Sequence, residues 1–227
     1  RRFPRLRALV AAGEALNPEV LDVWRAATGL EIRDGYGQTE TGQMTGNLDD
    51  APARAGSMGR PLPGVKLWID DGELVADPET VPTFFLHYLG DDEPTIAARA
   101  TEPWRTGDRV VEDDDGYLFF EGRTDDVIIS AGYRIGPFEV ESALVAHPAV
   151  AEAAVVAAPD DERGSVVRAI VVLRDHHPPT DALARELQDH VKALTAPYKY
   201  PRIVEFADDL PKTTSGKIRR ALLRDAS

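Results

Sequence analysis

The chain of 227 residues contains no cysteine. A disulfide framework, a thiolate nucleophile and a cysteine metal site are therefore excluded, and this composition is typical of a reducing compartment. No apolar run approaches the ~20 residues that a membrane-spanning helix needs. The opening stretch RRFPRLRALV also lacks the apolar core of a secretory signal. From these absences we expect a cytoplasmic protein with no membrane-spanning segment.

Positive charge is scarce as well. The chain has 26 Lys and Arg residues against 39 Asp and Glu residues, which gives a formal net charge of −13. A protein this acidic is not expected to bind nucleic acid, and any anionic ligand has to be held by a local cluster of cations. The five histidines show no spacing suited to a metal. The composition does not indicate an oligomeric state.

The length is sufficient for two domains, and the pattern along the chain divides near residue 124. Residues 1–124 predict a buried strand, a helix that ends at Gly29, and short strands joined by Asp-Gly hairpin turns. Residues 125–227 predict strands interleaved with two helices and closed by a terminal helix. We therefore expect α/β structure followed by a small α+β domain. Because a strand pattern begins almost at residue 1, we also expect the sequence to be a fragment.

The stretch DGYGQTETG, residues 34–42, has the composition of a phosphate-binding turn. Its glycines let backbone amides face a ligand, Thr39 can donate to a phosphate oxygen, and Glu40 can hold a divalent cation. Tyr36 supplies a flat face for a purine. The alternative interpretation is an ordinary glycine-rich turn with a hydrogen-bonded tyrosine.

Two further residues suit a nucleoside sugar. Asp108 lies in WRTGDRV, and Arg123 follows in EGRTDD after a predicted hairpin. A carboxylate that accepts from two ribose hydroxyls beside an arginine is a common arrangement. The alternative is a surface salt bridge across the hairpin. A similar choice, between binding an anionic ligand and simple solvation, applies to four basic residues, which are Arg163, Lys192, Lys199 and Arg202.

Near the end of the chain, LPKTTSGKIRRALLR places Lys217 after small hydroxylated residues and a glycine. A Walker loop needs a first glycine where Pro211 stands, and Ser or Thr where Ile218 stands. The stretch is therefore not a Walker loop. We expect a flexible tether that carries Lys217 into a short basic amphipathic helix, and the alternative is a solvated surface turn before that helix.

Taken together, these stretches resemble the adenylate-forming (AMP-binding) superfamily of acyl-CoA synthetases, luciferases and peptide-synthetase adenylation domains. Six motifs carry the likeness in the family's order over nearly the whole chain: AAGEAL, YGQTETG, GSMGRPLPGV, WRTGDRV, EGRTDDVIISAGYRIGPFEVESAL and PKTTSGKIRR. DDVIISAGYRIGPFEVESAL and TAPYKYPR look most similar to the medium-chain acyl-CoA synthetases.

The resemblance implies the C-terminal part of a large domain, with a βα segment and a small β-barrel-like subdomain, over residues 1–124. A small mobile C-terminal domain would occupy residues 125–227. The implied activity is that of an acid–thiol ligase. With ATP and Mg²⁺ it converts a carboxylic acid, here a medium-chain fatty acid, to acyl-AMP, and with CoA it then forms acyl-CoA.

The family's Ser/Thr/Gly-rich loop ending in Pro-Lys, which grips the β- and γ-phosphates, is absent from this sequence. We therefore expect the chain alone to be inactive. Two alternatives stay open, namely a non-catalytic nucleotide- or CoA-binding fragment and an adenylating enzyme that loads a carrier protein.

Site residues are implied by the same resemblance, position by position. Lys217, Thr39 and Glu40 would be catalytic, with Glu40 as the Mg²⁺ ligand. Thr39 and Arg134 would contact the substrate, and Asp125 would be the hinge of the small domain. The implied nucleotide-binding residues are Gly13, Glu14, Ala15, Asp34, Gly35, Tyr36, Gly37, Gln38, Thr39, Asp108 and Arg123. The implied CoA-binding residues are Ala131, Gly132, Tyr133, Arg163, Lys192, Tyr200 and Arg202.

Overall fold

The computed structural model describes residues 5–13, 16, 18–49, 51–214 and 216–224, and of residues 18 and 19 only the backbone. The chain divides into two compact units, unit 1 (Arg1–Phe120) and unit 2 (Glu121–Ser227). The domain boundary after residue 124 stays a prediction. Both units mix helices and strands, so the fold class expected from the sequence is confirmed.

Unit 1 begins with a four-stranded sheet in the order β1-β2-β3-β4. Its strands are β1 (Leu9–Ala11), β2 (Ile32–Gln38), β3 (Gly42–Gly46) and β4 (Arg60–Pro61). β1 and β2 are parallel and are joined by α1 (Pro18–Thr28). As predicted, the helix ends at Gly29, whose φ of 73° suits a left-handed helix stop. Val10 on β1 is 82% exposed, so the buried strand that the pattern predicted is not buried in this structure.

The glycine-rich stretch after residue 34 differs from the loop that the sequence predicted. It continues as strand β2 to Gln38 and turns directly into β3, to which it pairs antiparallel. The strands approach so closely that a Cβ on Gly37 would lie 1.8 Å from the carbonyl oxygen of Gly42. Glycine here permits close packing of two strands, which composition alone does not distinguish from loop freedom.

A second sheet of unit 1 has four strands in the order β5-β6-β7-β8. These are β5 (Leu67–Asp70), β6 (Glu73–Ala76), β7 (Trp104–Glu112) and β8 (Leu118–Arg123), and residues 121–123 of β8 are counted in unit 2. Asp71 and Gly72 form the β5–β6 turn with φ of 47° and 80°, which confirms that predicted hairpin. Within the described residues this strand order is linear, so the β-barrel-like subdomain takes the form of an open sheet.

Between β6 and β7 lie a 3-10 helix (Pro78–Thr80) and α2 (Glu93–Thr101). The predicted helix near residues 95–99 is therefore confirmed, and Asp92 caps it by accepting from the Thr95 amide at 3.0 Å. Two apolar clusters fill unit 1, one around Met44 and one around Leu74. Tyr36 packs against both clusters, which fixes its ring at their junction.

Unit 2 starts with the antiparallel pair β9 (Ile128–Ser130) and β10 (Tyr133–Ile135). Its remaining elements are α3 (Pro137–Val145), β11 (Val150–Asp160), β12 (Gly164–Leu173), α4 (Asp181–Leu194), β13 (Ile203–Ala207) and α5 (Arg220–Arg224). β12 lies between antiparallel β11 and parallel β13. In the described part of the chain, no helix is long and apolar enough to cross a bilayer.

Helix α4 forms where the sequence predicted it. Thr180 accepts from the Leu183 amide at 3.2 Å and caps the first turn. Leu183, Leu187 and Val191 recur every four residues and are buried against α3 and the three-stranded sheet. Burial of each such side chain contributes about 1.5–3 kcal/mol, so this apolar stripe holds the helix in place. Its opposite face remains polar.

Candidate functional site

The predicted purine-stacking tyrosine and ribose-binding acid lie side by side in unit 1. Tyr36 on β2 donates its hydroxyl proton to Asp108 on β7. The side-chain amide of Gln38 donates to the same carboxylate oxygen at 2.9 Å and to the Thr106 carbonyl at 2.8 Å. Trp104 in turn donates its indole proton to Gln38 Oε1 at 3.0 Å. This network fixes a buried carboxylate beside an aromatic ring.

Asp34 holds the start of the same strand. Its carboxylate accepts from the Gly35 amide at 2.9 Å and from the Leu16 amide at 3.4 Å. Burial raises the pKa of Asp34, and these backbone hydrogen bonds oppose the rise. Gly13 has a φ of 100°, which favours glycine. The predicted nucleotide residues Glu14 and Ala15 lie outside the described residues.

Glu40 is held by a segment that sequence reasoning missed. The Tyr88 hydroxyl donates to Glu40 Oε1 at 2.6 Å, and the Phe85 amide donates to the Glu40 carbonyl at 2.7 Å. The hydrogen bond to Glu40 is the main cause of a raised pKa of Tyr88. Thr39, beside it, is exposed. The only available signal was the aromatic run FFLHY, which does not identify its partner.

Glu40 fits Mg²⁺ as a single protein ligand. Within the described ranges, no group of three or more His, Cys, Asp or Glu side chains could hold a metal. Mg²⁺ commonly takes one or two carboxylates and fills its remaining positions with substrate phosphates and water. The single carboxylate of Glu40 therefore suits a Mg²⁺ ion that arrives with a nucleoside triphosphate.

Arg123 and Asp125, the predicted ribose partner and hinge, both lie in unit 2. Arg123 Nε is 3.4 Å from the Asp125 carboxylate, and the Asp125 carbonyl accepts from Arg224 at 3.1 Å. The interaction of Arg123 with ribose and the hinge role of Asp125 remain predictions.

The first group of predicted CoA residues surrounds the β9–β10 turn. Ala131 and Gly132 form this turn with φ of 49° and 84°. The Ala131 amide donates to the Arg163 carbonyl at 3.1 Å, which attaches the turn to the β11–β12 connection. In the described part of the chain, no heavy atom lies within 4 Å of a Cβ added at Gly132. The turn thus faces open space.

The second group continues from that turn as an aromatic and cationic surface. Tyr133 stacks on Tyr198, with ring centroids 4.2 Å apart and planes inclined by 16°. Lys192 Nζ lies 4.2 Å from the ring centroid of Tyr200, and Arg202 donates to the Tyr200 hydroxyl at 2.9 Å. Tyr198 was not among the predicted residues, because stacking between distant tyrosines leaves no sequence signal.

Arg163, Lys192 and Lys199 are ion-paired rather than merely solvated. Arg163 Nη1 lies 3.1 Å from Glu162, and Lys192 donates to Asp189 at 2.9 Å. Lys199 pairs with Glu139. Exposed pairs of this kind contribute about 0–1 kcal/mol each, so a phosphate can replace the carboxylate at little cost. Binding of the CoA phosphates at this surface remains a prediction.

Lys217 is exposed on a hairpin, and the flexibility that its sequence predicted stays a prediction. Lys212 and Ile218 pair across the hairpin. The Thr213 amide donates to the Lys217 carbonyl at 2.8 Å, and the Lys217 amide donates to Thr213 Oγ1 at 3.0 Å. Helix α5 begins only at Arg220, so Lys217 precedes it. One of the hydroxylated residues that precede Lys217 thus accepts a hydrogen bond across the turn.

Arg134, the predicted substrate contact, lies on β10 and is paired in register with Ile129. Thr39, Glu40 and Asp108 belong to unit 1, whereas Lys217 and the predicted CoA residues belong to unit 2. The residues predicted for acyl-adenylate formation are thus divided between the two units, whereas the predicted CoA residues all belong to unit 2.

Comparison with known proteins follows the same division. Residues 1–82 match the family of AMP-binding enzymes, and residues 139–217 match the AMP-binding enzyme C-terminal domain. The uncharacterised acyl–CoA ligase YtcI of Bacillus subtilis (strain 168) is 50% identical over 96% of this chain and 43% of its own length. The mitochondrial acyl-coenzyme A synthetase ACSM4 of Homo sapiens is 51% identical over 99% and 41%.

Among solved structures, the crystal structure of the anthranilate CoA ligase AuaEII in complex with anthranoyl-AMP is similar. It has a TM-score of 0.87 and 37% identity, and the match covers 97% of this chain and 44% of that one. The chain thus spans less than half the length of each of these relatives. On both sequence and structure, the chain belongs to the family of AMP-binding enzymes, and the three relatives named above are CoA ligases or acyl-CoA synthetases.

Proposed function

We propose that the protein containing this chain is an AMP-forming acyl-CoA synthetase that acts on a medium-chain fatty acid. In the first half-reaction a carboxylate oxygen attacks the α-phosphorus of ATP, which gives acyl-AMP and releases pyrophosphate. In the second, the CoA thiol attacks the acyl carbon, which gives the thioester and releases AMP.

The observation that carries this proposal is the network of Tyr36, Gln38 and Asp108. The hydroxyl of Tyr36 and the amide of Gln38 converge on one oxygen of the same buried carboxylate. A carboxylate held rigidly beside an aromatic ring suits an adenosine, with the purine on the ring and ribose hydroxyls on the carboxylate. Pre-organisation of this kind lowers the entropy lost on binding.

The remaining roles follow from charge. Thr39 and Glu40 at the β2–β3 turn would contact phosphate and the Mg²⁺ that accompanies it. The Lys217 ammonium would offset negative charge that develops at the α-phosphorus, an effect that commonly accounts for about 10²–10³ in rate. Arg163, Lys192 and Arg202 would receive the CoA phosphates, which supplies local positive charge in a protein of net charge −13.

The test separates the two half-reactions in the protein that contains this chain. Octanoate-dependent ATP–pyrophosphate exchange measures the first, and CoA thioester formation from supplied octanoyl-AMP measures the second. Lys217→Ala should slow exchange by ~10² or more and leave thioester formation nearly intact. Gly132→Leu should do the reverse, because a side chain there would fill the open space that the thiol arm needs.

Equal damage to both half-reactions by both variants would refute these assignments. A competition between free CoA and a phosphopantetheinylated carrier protein tests the acceptor, and exclusive use of the carrier would overturn the synthetase proposal. The isolated 227-residue chain should show no exchange above background; clear exchange would contradict the role given to the missing triphosphate loop. Adenine nucleotide binding with neither half-reaction would favour a non-catalytic binding protein.

A further inference from the structure

A buried ion pair stands at the base of the hairpin that carries Lys217. Arg220, the first residue of α5, donates from Nε and Nη2 to Glu141 Oε1 at 3.1 and 3.0 Å, and from Nη2 to Oε2 at 2.8 Å. Glu141 lies on α3 and is only 7% exposed. Its Oε1 also accepts from the Val155 amide on β11 at 2.8 Å. One carboxylate therefore ties α5 to both a helix and the central sheet.

The C-terminal end of α5 is also held by hydrogen bonds to other parts of unit 2. Arg224 Nη1 donates to Asp126 Oδ1 at 2.8 Å, and Arg168 Nη1 donates to the Leu223 carbonyl at 3.0 Å. A helix of five residues is too short to be stable by itself. Its conformation and place thus depend on these side-chain contacts.

The other arm of the hairpin is fixed by apolar burial. Leu210 is 2% exposed in a cluster with Ala154, Val156 and Ile170, and Ile218 packs against that cluster. The Arg219 amide donates to the Pro211 carbonyl at 2.8 Å and closes the base of the hairpin. Both arms are therefore anchored to unit 2, and Lys217 lies on the projecting turn.

We propose that Arg220 is a positioning residue: through its pair with Glu141 it sets the orientation of the hairpin, and hence of Lys217, for acyl-adenylate formation. This inference rests on the proposed function. Lys217 is separated from Arg220 by only two residues, so a shift of the arginine displaces the lysine. Misplacement of a reacting group by about 1 Å can cost ~10²-fold in rate.

The test uses Arg220→Met in the protein that contains this chain. Octanoate-dependent exchange should fall by roughly 10–10², while thioester formation from supplied octanoyl-AMP should stay within about threefold of the parent. Arg219→Ala is the matched control: it is the adjacent, exposed arginine, and no side-chain hydrogen bond or ion pair joins it to any other described residue. Both half-reactions should keep their rates in the control.

A double variant distinguishes positioning from a general loss of structure. In the Lys217→Ala background, Arg220→Met should cause no further loss of exchange, because its effect passes through the lysine. A further loss of tenfold would overturn the inference. If Lys217→Ala itself leaves exchange unchanged, the proposed function fails; if Lys217→Ala slows exchange but Arg220→Met does not, only this inference fails.

Loss of one partner can leave a buried carboxylate unpaired and prevent folding. The double variant Glu141→Gln with Arg220→Met removes both charges together and keeps a side-chain oxygen that can accept from the Val155 amide. Circular dichroism checks the fold before the assays. The double variant should also show slow exchange with near-parent thioester formation; exchange at the parent rate would refute the positioning role.

Discussion

Gly37→Ala should destabilise unit 1, because β2 and β3 leave no room for a side chain. A Cβ at this position would lie 1.8 Å from the Gly42 carbonyl oxygen and 2.6 Å from its carbonyl carbon. A carbon and a carbonyl oxygen ordinarily approach no closer than about 3.3 Å. The strands therefore have to separate by about 1.5 Å.

The size of the destabilisation follows from the hydrogen bonds between β2 and β3 that this separation breaks. Gly37 pairs with Gln43 and Gln38 pairs with Gly42 at the end of the ladder. Loss of about two backbone hydrogen bonds costs about 1 kcal/mol each, and the overpacking strain adds about 1–3 kcal/mol. We expect unit 1 to lose roughly 2–5 kcal/mol in its free energy of unfolding. The Gln38 contact to Asp108 should weaken with it.

Urea unfolding of the 227-residue chain, followed by tryptophan fluorescence, measures this loss. The three tryptophans, Trp24, Trp68 and Trp104, all lie in unit 1, so their emission reports on that unit. Gly46→Ala on β3 is the control, since its Cβ would meet only Leu48 and Leu62 side chains at 3.6 Å. The control should change the free energy by less than about 1 kcal/mol. Equal values for the two variants would refute the reasoning.

Two further predictions concern unit 2. Tyr198→Leu removes the stacking partner of Tyr133, and such a stack contributes about 0.5–1.5 kcal/mol. The KM for CoA should therefore rise roughly 2–10-fold, while ATP–pyrophosphate exchange keeps its rate. An unaltered KM would exclude a role for the stack in CoA binding. Burial, followed by repulsion from His147, lowers the pKa of His190 below the usual 6.5. Stability is therefore complete above about pH 6.5 and falls as pH drops below it, since the unfolded state binds the proton first. His190→Phe should lose less unfolding free energy than the parent between about pH 7.5 and 5.5 by circular dichroism, and equal losses would contradict this.

Elements whose signals are local were predictable from the sequence. Thr180 begins α4 and Gly29 ends α1, because a capping hydroxyl and a left-handed glycine act over a few residues. The Asp71–Gly72 turn follows from the same kind of chemistry. The β9–β10 hairpin was missed because its turn places Ala131 at a φ of 49°, a conformation that alanine rarely adopts and that no sequence pattern announces.

The sequence supplied candidate site residues, whose roles stay predictions, but not their arrangement. Motif resemblance assigned Tyr36 and Asp108 separately, yet their hydrogen bond depends on how β2 and β7 pack around the junction of two apolar clusters. The contact of Tyr88 with Glu40 was missed for a related reason. Half-exposed aromatic residues contact many kinds of partner, and only the folded chain selects one.

The hairpin around Lys217 bears on how this lysine would serve the proposed two-step reaction. Ordering of a backbone residue costs about 1–2 kcal/mol, so a free tether would meet that cost each time the lysine engaged its substrate. Here the cost is met on folding, because Thr213 closes the turn and Arg220 anchors its base. Withdrawal of Lys217 by unfolding of the turn between the proposed half-reactions would break these contacts. Any movement of Lys217 between the two steps should therefore involve unit 2 as a whole rather than the hairpin alone.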